Sequence, residues 1–260
     1  MTSPYRARPL KQRVKSIPRR IFRKKPVHLL HIGKTGGTAV RFALKDHLNT
    51  GRYIIVLHGH DTTFRDIPVG ERTVFFLRDP IKRFISGFHS RQRQGQPRYF
   101  SPWTEGEKPA FEHFKTPEQL ARSLSSSDED EKSRAVEAMN STIHVNTIYW
   151  DWFENKEYCK SRIRDIFFVG FQERLNQDFE TLRGKLALPN VINLPTDDRK
   201  AHKNPISLDT TLSEQAIRNL KHWYSGDYDF IDFCNAEILD KQSSGTWKRL
   251  RAILNLSTTK

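Results

Sequence analysis

Four short apolar runs constrain this chain more than any other feature: Val27–Ile32, Tyr53–Leu57, Thr73–Leu77 and Ile166–Gly170. Each is nearly continuous in β-branched, aromatic or leucine side chains instead of alternating with polar ones. A strand reads that way when both its faces are covered, as in a parallel sheet between layers of helix. Segments with helical spacing separate the runs, so the expected class is α/β, a three-layer fold with a central parallel sheet flanked by helices. Ligands of such folds sit at the carboxyl ends of the strands. Lys34, His58 and Arg78 all fall there.

The first run leads into His31-Ile32-Gly33-Lys34-Thr35-Gly36-Gly37-Thr38, and Val40, Leu44 and Leu48 follow at helical spacing. Strand, glycine turn and helix together present backbone N–H groups and a positive helix end to an anion. Lys34 adds a mobile cation, and Thr35 and Thr38 add hydroxyl donors. A phosphate or sulfate is the expected ligand. The layout is P-loop-like, but the G-x-x-x-x-G-K-[ST] pattern is incomplete: His28 stands where its first glycine belongs. The glycines come after the lysine, at Gly36 and Gly37, which suits one compact group better than a nucleoside triphosphate. A turn whose glycines only solve a packing problem is the plainer alternative.

Leu77-Arg78-Asp79-Pro80 is the second informative stretch. Arg78 ends a run, Asp79 is a good N-cap, and Pro80 is a good first helical residue. Ile81, Phe84, Ile85 and Phe88 give the helix one apolar face, and Ser86 lies off that stripe. If the helix packs back on its strand, Arg78 and Ser86 converge on one anion; otherwise Arg78 pairs with Asp79 or a neighbour. His58-Gly59-His60-Asp61 follows the second run. A metal reading fails on spacing, because Thr62 and Thr63 occupy the last two positions of the His-x-His-x-Asp-His pattern. A general-base reading needs one histidine near pKa 6.5 in the cleft. Packed or surface histidines are the third possibility.

Residues 91–140 are rich in Gln, Arg, Pro and Gly and then in Ser, Asp and Glu. They read as a mobile, partly helical insertion, placed to serve as a lid or to recognise an acceptor. Tyr149, Trp150, Trp152 and Phe153 suit core packing better than stacking on a sugar or base. Further on, Asp197 to Pro205 is a polar loop with clustered basic groups, and Gly245–Leu256 is a short basic amphipathic stretch.

The net charge of +14 suggests nucleic acid, but its distribution does not. Residues 1–25 carry ten Lys/Arg and no acid, which leaves 34 basic against 30 acidic residues in the remainder. The excess belongs to an arm that its composition predicts to be disordered, suited to weak contact with a polyanion or membrane surface, and no dedicated nucleic-acid partner is expected. Residues 26–260 are expected to form a single α/β domain, with the insertion at about 91–140. No apolar run reaches the roughly 18 residues that span a bilayer. The two cysteines, Cys159 and Cys234, lie far apart, so neither a metal site nor a disulfide framework is expected. A cytoplasmic setting follows as an expectation.

Taken together, these segments resemble the sulfotransferases that use PAPS (3′-phosphoadenosine 5′-phosphosulfate), in particular the carbohydrate type that includes heparan sulfate 2-O- and 6-O-sulfotransferases. Lys34-Thr35-Gly36-Gly37-Thr38 is similar to the 5′-phosphosulfate loop of that family, Arg78-Asp79-Pro80 with Ser86 to its 3′-phosphate motif, and His58-Gly59-His60 to the His-Gly-His of the 2-O enzymes. The resemblance covers about residues 26–235. It implies a sulfotransferase with PAPS as donor, no metal, and an acceptor hydroxyl, most naturally of a carbohydrate. It makes Lys34 catalytic, His60 the base with His58 second, and Thr35, Gly36, Gly37, Thr38, Arg78 and Ser86 donor-binding residues. Arg199 and Lys203 fall where a loop closes over the donor. A P-loop nucleotide kinase and a polyanion-binding protein are the rival readings.

Overall fold

The computed structural model describes residues 24–97, 99–197 and 209–239. The basic arm up to residue 23, the Gly245–Leu256 stretch, and Arg199 and Lys203 lie outside the described residues. Four parallel strands form one sheet in the order β2-β1-β3-β4, with β1 Lys25–Leu29, β2 Tyr53–Leu57, β3 Arg72–Leu77 and β4 Ile166–Phe171.

All four apolar runs thus become strands, with a correction to the first. It starts earlier than expected, because the Lys25 N–H donates to the Arg52 carbonyl at 3.1 Å. Lys25 therefore opens the sheet and does not belong to the arm. Pro26 is tolerated because β1 faces only β2 at that point; pairing with β3 begins at Val27. At the other end the Leu30 N–H still donates to the Val74 carbonyl at 2.9 Å, and Ile32 stays buried beyond that last ladder bond.

Alternate residues of β3 feed opposite cores. Val74 and Phe76 join Val27 and Leu29 against α1 (Gly37–Leu44) and α8 (Leu175–Lys185). Phe75 and Leu77 meet Tyr149, Trp152, Phe153, Cys159 and Phe230 on the other face, contributed by α6 (Trp150–Phe153), its approach, α7 (Lys156–Ser161) and α10 (Ser225–Cys234). The aromatic cluster is core, as its composition suggested. Gly170 packs on the opposite face, the one that holds Phe76: a Cβ there would stand 2.4 Å from the Phe76 ring.

Residues 91–140 are more ordered in architecture than expected. They contain α3 (Glu107–His113), α4 (Pro117–Ser123) and most of α5 (Glu129–Ser141), which build a third core with α2 (Pro80–Gln92) and α9 (Glu214–Trp223). Phe88, Phe111, Phe114, Met139 and Leu220 are its buried members. Arg91 ties this lobe to α2, with Nε and Nη2 donating to the two Glu107 carboxylate oxygens at 2.6 and 2.7 Å. Chain composition alone underrates such a lobe, because its polar residues sit on the outer faces of short helices.

The connection from β1 runs to β2 on one side, and the chain then returns to β3 on the other. The strand order reverses at β1 and β3, so the loops after these neighbours flank one crevice.

Candidate active site

A cavity of about 720 Å³ opens at that crevice, with Lys34, Gly36, Gly37, Thr38, His60, Arg78 and Ser86 in its wall. Most of the residues named from the sequence are therefore brought together. The loop after β1 is tight: Lys34 has φ 68° and Gly36 φ 85°. Holding a lysine in that left-handed region costs on the order of 1 kcal/mol, and such strain gathers at functional sites. Glycine is favoured at Gly36 by that left-handed backbone and at Gly37 by space. A Cβ on Gly36 would come 2.9 Å from Leu175 Cδ2, and one on Gly37 would come 2.7 Å from His31 Cδ2. Gly36 then caps α1 without a side chain of its own, and no acidic residue occupies the first turn to compete for the helix end.

Thr35 corrects the expectation of a hydroxyl donor to the ligand. It is buried, and its Oγ1 donates to the Ile32 carbonyl at 3.0 Å, closing the turn instead of facing the cavity. Thr38 does line the cavity. Burial pushes the Lys34 ammonium down to about 8, with Arg78, Arg93 and Arg91 adding to the effect. An anion placed here would restore its charge.

Arg78 leaves β3 and reaches back across the crevice, its Nη1 donating to the Lys34 carbonyl at 3.3 Å. Its backbone is clamped by Tyr149, whose hydroxyl accepts from the Arg78 N–H at 3.0 Å and donates to the Arg78 carbonyl. The Asp79 carboxylate caps α2 by accepting from the Lys82 N–H at 2.9 Å, as its type and place suggested. Arg78 Nε is buried and has no partner. A buried guanidinium nitrogen left unsatisfied is costly, and an anion is the natural remedy. Ser86, one helical turn and a half into α2, stands in the same wall.

The two histidines of the 58–60 segment part company. His58 is buried in a chain beneath the site: its Nε2 lies 2.8 Å from His28 Nδ1, and His28 Nε2 lies 2.7 Å from Glu71 Oε2. With His28 Nε2–H donating to the Glu71 carboxylate, His28 Nδ1 is left as the acceptor for His58 Nε2–H. Burial first, then His28 and Arg41, push His58 down to about 4. It does not line the cavity, contrary to its place as second base. His60 does line it, stacked on His31 with ring centroids 3.8 Å apart. A hydrogen bond to the His31 backbone opposes the lowering of its pKa by burial, and Trp152 Nε1 donates to its carbonyl at 3.4 Å.

Several contributors carried no motif. Arg83 is fully buried on α2: Nε donates to the Gly33 carbonyl at 3.3 Å and Nη1 to Asp227 Oδ2 at 3.1 Å. It fixes the start of the anion loop, and nothing in local sequence separates it from a surface helix arginine. Arg41 donates to the His58 carbonyl and also faces the cavity. His144 enters from beyond α5. Leu194, Pro195 and Thr196 reach the rim.

The wall thus offers one anion site at the start of α1 and another at Arg78 and Ser86, with uncharged imidazoles alongside. The orphaned Arg78 nitrogen and the side-chain-free cradle at Gly36 and Gly37 fit a ligand with two anionic ends. A search of curated proteins gives no match. The family model described as the sulfotransferase family matches residues 20–233, most of the chain and every site residue from Lys34 to Ser86. The chain belongs to the sulfotransferase family.

Proposed function

We propose that this enzyme moves the sulfuryl group of PAPS to a hydroxyl of a carbohydrate acceptor, with His60 as the base. The observation that carries the reading is the contact between Arg78 and the Lys34 carbonyl. It joins two anion-binding units on neighbouring strands in one cavity, as a donor with a phosphosulfate at one end and a 3′-phosphate at the other requires.

PAPS supplies an activated mixed anhydride, so the protein's share is positioning and charge stabilisation. The N–H groups at the start of α1 and the Thr38 hydroxyl hold the 5′ end. Lys34 neutralises charge that develops on the bridging oxygen as the sulfur–oxygen bond breaks. Arg78 and Ser86 hold the 3′-phosphate, Arg78 satisfying its buried Nε in doing so. Arg199 and Lys203 are further candidates for that phosphate; the described chain reaches the rim at Thr196, just before them. His60 accepts the acceptor's hydroxyl proton on the nitrogen not bonded to the His31 backbone. The carbohydrate class rests on the likeness of His58-Gly59-His60 to the 2-O enzymes.

Thermal unfolding tests the reading directly. Adenosine 3′,5′-bisphosphate should raise Tm, by about 2.7 kcal/mol of added stability at a hundred times its Kd. ATP with Mg²⁺ should do much less. A larger shift with ATP and Mg²⁺ would replace this reading with a nucleotide kinase.

A further inference from the structure

His144 follows α5 in a loop that no motif marks, yet it stands in the cavity wall with Lys34 and His60. Its backbone lies at φ 72°, a conformation that histidine adopts at a cost. Two glycines make room for it. A Cβ on Gly87 of α2 would approach His144 Cβ to 3.2 Å, and a Cβ on Gly33 would approach its Nδ1 to 3.2 Å. The ring is therefore wedged between the anion loop and α2. Among the described residues, neither of its nitrogens has a hydrogen-bond partner. An enclosed, strained imidazole with no polar contact inside the protein points to a contact outside it.

The His60 and His144 rings stand 6.2 Å apart between centroids, inclined at 58°. That separation leaves room for one oxygen between the two rings. We propose that His144 is a catalytic residue that donates its ring N–H to the acceptor hydroxyl oxygen, holding a lone pair of that oxygen toward sulfur while His60 removes the proton. The assignment rests on the sulfuryl-transfer reading above. The hydroxyl O–H bond breaks and its proton goes to His60. The oxygen–sulfur bond forms, and the sulfur–oxygen bond to the 5′-phosphate breaks with its electron pair on the phosphate. His144 stays neutral throughout, as burial and the neighbouring Lys34, His60, Arg83 and Arg91 favour.

The test needs no identified acceptor, because water can take the place of the hydroxyl and release of inorganic sulfate from PAPS can be followed. His144→Gly removes the ring and accepts the left-handed backbone; His144→Asn also tolerates that conformation and keeps the loop filled. Both should bind adenosine 3′,5′-bisphosphate within about 3-fold of wild type, and His144→Gly should release sulfate about 10- to 30-fold more slowly, the effect of one lost transition-state hydrogen bond. Added imidazole should restore part of the loss in His144→Gly. Wild-type sulfate release in both variants overturns the assignment. So does a bisphosphate affinity that falls in step with the rate, since His144 would then be a wedge for the loop. Wild-type protein that binds no bisphosphate overturns the sulfuryl-transfer reading itself, and this assignment with it.

Discussion

Lys34 is enclosed and lies near Arg78, Arg93 and Arg91, and its pKa of about 8 reflects a charge held out of water beside like charges. A polyanionic nucleotide raises that pKa, so binding near pH 8 should take up a fraction of a proton, and affinity should fall as pH rises through 8. Calorimetry in two buffers of different ionisation enthalpy measures the uptake, and Lys34→Ala should remove it. The same substitution should lower kcat by about 10²–10³, the range found when one preorganised charge-stabilising donor is lost. Thr35 behaves differently despite its neighbouring position. With its hydroxyl on the Ile32 carbonyl, Thr35→Val should cost about 1 kcal/mol of stability in denaturant unfolding, through the lost turn bond. Residue type told which groups suit an anion. It did not tell which of Thr35 and Thr38, or of His58 and His60, lines the cavity, because that depends on a backbone path of a few residues.

At the scale of elements, the anion loop is held from behind by α2. Arg83 reaches Gly33, and its charge is balanced by Asp227 on α10, which also accepts from the Tyr149 N–H at 2.6 Å. Asp227→Ala leaves a buried guanidinium uncompensated and should cost about 3–5 kcal/mol, read from urea unfolding. Strand, turn and helix were legible here from apolar runs, glycines and the Asp79-Pro80 start. The Arg83–Asp227 pair was not, since its partners lie 144 residues apart and neither sits in a recognisable pattern. The helical lobe was also underread: its apolar positions are few per helix, and only the packing of α3, α4 and α5 on α2 collects them into a core.

Across the whole molecule, His28, His58, His60 and His144 all have pKa values lowered by burial. The unfolded chain, with histidines near 6.5, binds more protons than the folded one in the range below that value. Stability from these groups is complete above pH 6.5 and is lost as pH falls toward about 4. Tm should drop over that interval, and His58→Asn should flatten the slope while lowering Tm at pH 7.5. The basic arm acts on a different property. Removing residues 1–23, which precede the first sheet hydrogen bond at Lys25, should weaken salt-dependent retention on sulfated dextran and leave bisphosphate affinity unchanged.

The sequence by itself determined the layered parallel sheet and the two turns that lead from β1 and β3 into helices, because strand burial and helix starts are written in local patterns of a few residues. Tertiary structure alone decided that β1 and β3 lie side by side, and hence that Lys34 and Arg78 line one cavity. It also drew His58 into the His28–Glu71 chain and carried His144 to the cavity from a loop with no motif. These outcomes depend on which distant surfaces pack together, and packing sums over contacts that no single stretch of chain contains.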